Sequence, residues 1–166
     1  MSDKKILILN KEQIEQKITR IAYQIWEDNL NEKEVVIAGI ADHGYTLARR
    51  IKAVLEQISG IEVLLIKIKI DKTSSKLQAQ ADNSLEKCSG KVVILVDDVL
   101  HSGRTLAYGL GVFIDFPLKK LRTSVLVDRS HRKFPVSSDY TGLQLSTVLK
   151  EHVDVVLNEE EAVYLR

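Results

Sequence analysis

The stretch Val92-Val93-Ile94-Leu95-Val96-Asp97-Asp98-Val99-Leu100-His101-Ser102-Gly103-Arg104-Thr105 decides the fold. Val92 to Val96 is apolar and rich in β-branched residues, which predicts a buried strand. Two carboxylates, Asp97 and Asp98, follow at once. A short loop, His101-Ser102-Gly103, then opens into an expected helix at Arg104-Thr105. Acids at a strand end can accept hydrogen bonds from sugar hydroxyls or hold a divalent cation. The loop amides, the Ser102 and Thr105 hydroxyls and the helix N-terminus can cradle a phosphate. Carboxylates repel phosphate, so a ligand that satisfies both halves is bipolar, and a sugar phosphate fits. Paired acids after an apolar strand also occur in phosphoacceptor receiver domains, where they hold Mg²⁺; the phosphate loop behind them favours the sugar phosphate.

The rest of the chain sets bounds on this reading. Its 166 residues suggest one domain, 1–166, with room for a core. Hydrophobic residues make up 45% and charged residues 28%, as in ordinary globular proteins. A net charge of +1 gives no argument for nucleic acid or membrane binding. Cys88 is the single cysteine, so a disulfide framework and a thiolate metal cluster are excluded, and the cytoplasm is the expected compartment. Neither a signal peptide nor an apolar run long enough to cross a bilayer is read. His43, His101, His131 and His152 have no metal-ligand spacing.

In chain order, Ile6 to Leu9 reads as an added strand. Asn10 with Gln13 resembles a capping box that starts an amphipathic helix from Lys11 to about Asn29. Val35 to Ile40 reads as a buried strand that ends in Gly39-Ile40-Ala41-Asp42-His43-Gly44. Leu47, Ala48, Ile51, Val54, Leu55 and Ile58 give the next helix stripe, closed at Ser59-Gly60. Ile66, Ile68 and Ile70 alternate with lysines as a strand. Asp71 to Gly90 reads mainly as a long loop. The helix after the central loop is expected to run through Phe113 and Ile114 to Pro117. Leu121 to Val127 alternates as a strand, Asp128 to Ser138 is a charged excursion, and Val153 to Leu157 and Ala162 to Leu165 are two short late strands. Strands alternating with helices predict a parallel α/β sheet with the ligand at the strands' carboxyl ends.

The central stretch resembles the ribose-phosphate signature of type I phosphoribosyltransferases. More closely, the chain resembles the pyrimidine operon attenuator/uracil phosphoribosyltransferase family. Further matching segments are I-T-R-I-A at Ile18 to Ala22, G-I-x-x-x-G at Gly39 to Gly44, L-A-R-R at Leu47 to Arg50, V-L-V-D-R-S-H-R at Val125 to Arg132 and D-Y-T-G at Asp139 to Gly142. The resemblance implies the α/β type I phosphoribosyltransferase fold: a twisted, mainly parallel sheet flanked by helices. It also implies a flexible loop at about 71–90 and a small hood built from the N-terminal strand and about 128–166.

The resemblance further implies transfer of a 5-phosphoribosyl group from phosphoribosyl diphosphate to a nucleobase, uracil favoured, with Mg²⁺, by a homodimer. Asp97 and Asp98 are then the ribose-contacting acids, directly or through the metal, with His101 beside them. The 5-phosphate loop is His101, Ser102, Gly103, Arg104 and Thr105. The diphosphate loop is Ile40, Ala41, Asp42, His43 and Gly44. Val127, Asp128 and Arg129 belong to the base site.

Departures from the family pattern bear on each part. Asp42 and His43 replace a Thr-Arg pair in the diphosphate loop. Tyr23, Ser137 or Ser138, and Leu143 stand where the attenuator family carries a His, an Arg and a Lys. Those losses argue against RNA as a partner, and Arg20 and Arg132 are expected on a solvated face. A regulator with this fold that binds nucleotide or RNA with little turnover stays open. His101 leaves a purine base open beside uracil, because an imidazole can donate or accept a proton near neutral pH.

Overall fold

The computed structural model describes residues 4–71, 78–82, 85–147 and 150–166. Ile6–Leu9 is strand β1. Asn10 caps helix α1, Lys11–Asp28: the Asn10 side chain accepts from the Gln13 amide and the Gln13 side chain accepts from the Asn10 amide, each at 2.9 Å. Ile14, Ile18, Ile21, Ala22 and Ile25 form its buried stripe. Then come β2, Glu34–Ile40; α2, His43–Ile58; and β3, Glu62–Asp71. β4 is Gln78–Ala81, β5 Val92–Leu100 and α3 Arg104–Gly111. β6 is Lys120–Arg129, β7 Tyr140–Leu145, β8 Val153–Val156 and β9 Ala162–Leu165.

The main sheet has the order β4-β3-β2-β5-β6-β7. Only the β3–β4 pair is antiparallel. β5 lies near the middle, and successive residues feed opposite faces. Val92, Ile94 and Val96 pack with α1 and α2, whereas Val93 and Leu95 pack with Leu106 and Phe113. All five are buried, which explains a continuous apolar run in place of an alternation. β1, β9 and β8 form a separate antiparallel sheet, and an Arg50–Glu161 ion pair of 2.7 Å ties α2 to its far turn.

The elements differ from the sequence expectation in five places. β5 continues through the acids to Leu100, so Asp97 and Asp98 sit within the strand and not after it. The 71–90 stretch is not mainly loop among its described residues: β4 pairs with β3 and Leu85–Cys88 forms a 3-10 turn, while 72–77 and 83–84 lie outside the described residues. α3 stops at Gly111, since Gly109 and Gly111 are poor helix formers, and Ile114 is 75% exposed. β6 extends through Asp128 and Arg129 and is buried from Thr123 to Arg129, because both of its faces are covered. β7, inside the stretch expected in the hood, is the edge strand of the main sheet. Gly142 disguises it: a Cβ there would come within 2.4 Å of the Leu126 carbonyl oxygen, so only Gly fits, and a Gly in sequence reads as a break.

Candidate active site

Parallel register brings the decisive residues to one end of the sheet. Gly39 pairs with Val96, and Asp97 with Val125. The β2–α2 connection is only Ala41-Asp42, joined by a cis peptide bond. The Ala41 amide donates to the Ile68 carbonyl at 2.8 Å, which pins this turn against β3. His43 and Gly44 already belong to the first turn of α2. Gly44 lets that turn seat on β5: a Cβ there would lie 2.8 Å from the Val96 carbonyl oxygen and 3.0 Å from Asp97 Oδ1. Asp97 therefore stands at the positive end of the α2 dipole. Of the expected diphosphate loop, Ile40 and Gly44 are buried, and Asp42 makes no side-chain cap bond.

Behind Asp97 the chain folds into a small pocket. Asp97, His101, Ser102, Gly103 and Thr105 line a cavity of ≈ 140 Å³, closed by Leu106 and Val125. Gly103 has φ +87°, a conformation open to glycine and strained for other residues. Ser102 Oγ accepts from the Arg104 amide at 3.3 Å. The Lys133 and Phe134 amides donate to the Ser102 carbonyl at 2.8 and 3.0 Å. The Arg104 side chain leaves this pocket, lies 5.8 Å from the Tyr108 ring centroid and lines an outer cleft of ≈ 830 Å³. Neighbouring strand residues face opposite ways, so Asp97 lines the small pocket and Asp98 does not. Each carboxylate also accepts the next backbone amide at 2.9 Å.

His101 lies on both cavities with its side chain exposed. Partial desolvation against the cleft wall, then the positive charges of Arg129, His131, His152 and Lys133, push its pKa below the ordinary imidazole value. The imidazole is therefore mainly neutral at neutral pH and can accept a proton.

The end of β6 is internally committed. Val127 is wholly buried in the core, Asp128 is 9% exposed and Arg129 is 2% exposed. Arg129 donates to Thr147 Oγ1 at 3.2 Å and to the Glu151 carbonyl. His131 Nε2 contacts the Thr147 carbonyl. Of the expected base-site trio, Arg129 thus holds the segment around Thr147 and Glu151 by its side chain, Asp128 accepts from Arg132, and Val127 packs in the core. Arg20 and Arg132 are not merely solvated, contrary to expectation. Arg20 donates to the carbonyls of Thr141 and Gly142, and Arg132 to Asp128 and three carbonyls. Sequence reasoning missed Thr147 and Glu151 because their role is set by distant backbone and not by any local pattern.

Among the described residues, no three His, Cys, Asp or Glu side chains form a cage for a metal. Two adjacent, partly exposed carboxylates near the end of β5 suit Mg²⁺, which keeps several waters and takes one or two carboxylates with substrate phosphates. No helix among the described residues is long and apolar enough to cross a membrane.

Residues 7–160 match the family described as Phosphoribosyl transferase domain. The Bifunctional protein PyrR of Bacillus pumilus is 35% identical over 167 residues, 95% of this chain and 93% of that protein. The protein of the same name from Fusobacterium nucleatum is 34% identical, covering 99% of this chain and 100% of that one. Among solved structures, a hypoxanthine-guanine phosphoribosyltransferase of Bacillus anthracis is similar with a TM-score of 0.73 at 25% identity, covering 84% of this chain and 82% of that chain. A Trypanosoma cruzi hypoxanthine phosphoribosyltransferase complexed with IMP shares the fold with a TM-score of 0.81 at 18% identity, over 96% and 88% of the two chains. A receiver-like phosphoacceptor is thereby excluded, and the chain belongs to the phosphoribosyl transferase family and is a phosphoribosyltransferase of the type I fold.

Proposed function

We propose that this enzyme transfers the 5-phosphoribosyl group from phosphoribosyl diphosphate to a nucleobase, uracil by preference, and releases diphosphate. The observation that carries this reading is the ≈ 140 Å³ pocket of the His101–Thr105 loop, set directly behind Asp97. The loop amides and the Thr105 hydroxyl hold the 5-phosphate. Asp97 and Asp98 take the ribose hydroxyls and stabilise positive charge growing on the ribose as the diphosphate departs. The Ile40–Gly44 turn faces the leaving group from α2. Asp97 and Asp98 would hold Mg²⁺, which would supply charge neutralisation of the diphosphate. Val127, Asp128 and Arg129 form the floor of the base site, through backbone groups.

Uracil rests on the order of motifs along the whole chain. A purine is the second reading, supported by a neutral His101 at the loop and by the Bacillus anthracis likeness. We place RNA outside its partners: Tyr23, Ser137 and Leu143 remove cations, and Arg20 is occupied by the Thr141 and Gly142 carbonyls. A single domain, a homodimer and a cytoplasmic location complete the proposal; the buried, unpaired Cys88 suits a reducing compartment. A screen of uracil, hypoxanthine, guanine and adenine with phosphoribosyl diphosphate and Mg²⁺, read as nucleotide formed, tests it. Uridine monophosphate as the fastest product supports the proposal, and a faster purine product moves the assignment to the second reading.

A further inference from the structure

We propose that Arg132 is a positioning residue for the phosphate loop, aiming the loop amides at the 5-phosphate from the far side. This inference rests on the loop being the phosphate site. The Arg132 guanidinium is a planar fork of five donors, and its side chain is 27% exposed. Nη2 donates to Asp128 Oδ1. Nη1 donates to the His101 carbonyl at 3.0 Å and to the Arg129 carbonyl at 3.2 Å, and Nε to the Val136 carbonyl at 3.1 Å. One side chain thus joins the end of β6, its own following turn and the phosphate loop.

The geometry of the peptide plane gives this bond a consequence. In a trans peptide the C=O and the next N–H point in opposite directions. With the His101 carbonyl held by Arg132, the Ser102 N–H is directed away from the 132–136 segment. With the Ser102 carbonyl held by the Lys133 and Phe134 amides, the Gly103 N–H is directed away as well. The ≈ 140 Å³ pocket lies along these same residues. The contact continues at Gly103, where an added Cβ would lie 2.4 Å from Val136 Cγ2. Three successive loop residues are therefore backed by one segment, and Arg132 fixes that segment to β6. Asp128 orients the guanidinium. Lysine has one ammonium on a flexible stem and cannot serve four acceptors at once.

Ribose 5-phosphate is the probe, because it carries the phosphate and no base. Its titration into wild type, Arg132→Gln and Arg132→Lys should show about 10-fold or greater weakening in Arg132→Gln and partial recovery in Arg132→Lys, the scale of a lost charge-assisted hydrogen bond. The KM for phosphoribosyl diphosphate should rise in parallel, with the KM for the base within about 2-fold of wild type. Lys133→Ala should bind as wild type does, since its main-chain N–H reaches Ser102. Lower thermal stability with unchanged ribose 5-phosphate affinity, measured well below the melting temperature, would reduce Arg132 to a structural residue and overturn the proposal. Absence of binding by the wild-type protein would instead remove the phosphate site itself, and the positioning role with it.

Discussion

Asp97 and Asp98 are adjacent in the chain but have different surroundings. Asp97 sits under Gly44 of α2 and lines the phosphate pocket; Asp98, the next residue of β5, does not line that pocket and is partly exposed. Neither belongs to the buried core, so Asp97→Asn and Asp98→Asn should fold normally and lose roughly 10²-fold or more in kcat/KM, measured with uniform protein by initial rates. Thr105→Val should weaken nucleoside monophosphate and phosphoribosyl diphosphate together and leave free base alone; calorimetry showing unchanged nucleotide affinity would count against the pocket. Gly103→Val should be worse for a reason visible only in three dimensions: positive φ and a collision with Val136, not direct obstruction of the ligand. For His101 the lowered pKa sets the sign. If the ring accepts a proton in the reaction, the rate falls as pH drops through a limb below the ordinary value of 6.5, and that limb vanishes in His101→Phe. Identical profiles in the two proteins would make His101 packing only.

Elements with local signals were legible in the sequence. The Asn10–Gln13 capping box, the helical stripe of α1 and the apolar run of β5 each have a short-range cause, and each lies where its pattern put it. Asn10→Ala should accordingly cost about 1 kcal/mol in a urea melt, the usual worth of an N-cap. What the sequence hid was decided at long range. β7 contains Gly142 because Leu126 approaches it, and β4 forms because β3 offers an edge. The site followed the same rule: Asp97 and the His101–Thr105 loop are contiguous and could be read, whereas Arg132, Thr147 and Glu151 reach it only through folding of the segments after β6. The loss of the family's cations at Tyr23, Ser137 or Ser138, and Leu143 predicts a solvated face for Arg20 and Arg132. Arg20 instead bonds two backbone carbonyls, and Arg132 bonds Asp128 and three carbonyls.

Across the whole molecule, the junction of α1 with β6 and β7 couples stability to pH. Tyr140 donates to Asp28 Oδ2, and Lys120 and Arg122 lie 3.3 and 3.5 Å from the same oxygen. The Tyr140 hydrogen bond, aided by Lys120 and Arg122, holds the Asp28 pKa below 3.8; burial, then Asp28, raises that of Tyr140 above 10. The Asp28 contribution is present above pH 3.8 and is lost as pH falls through its depressed folded value. The Tyr140 contribution is full below pH 10 and is lost as pH rises toward its raised value. Tyr140→Phe should therefore lie furthest below wild type in melting temperature between these limits and converge on it at both extremes; a constant gap across pH would show that the pair carries no linkage.

The central claim is that this sheet end moves a phosphoribosyl group and does not merely bind one. Phosphoribosyl diphosphate, Mg²⁺ and uracil incubated with wild type and with Asp98→Asn, with uridine monophosphate and diphosphate quantified in the same reaction, test it most directly. Equal amounts of both products in wild type, and roughly 10²-fold or more slower formation of both in Asp98→Asn, is the predicted result. Diphosphate without nucleotide, or equal turnover by the two proteins, would contradict it.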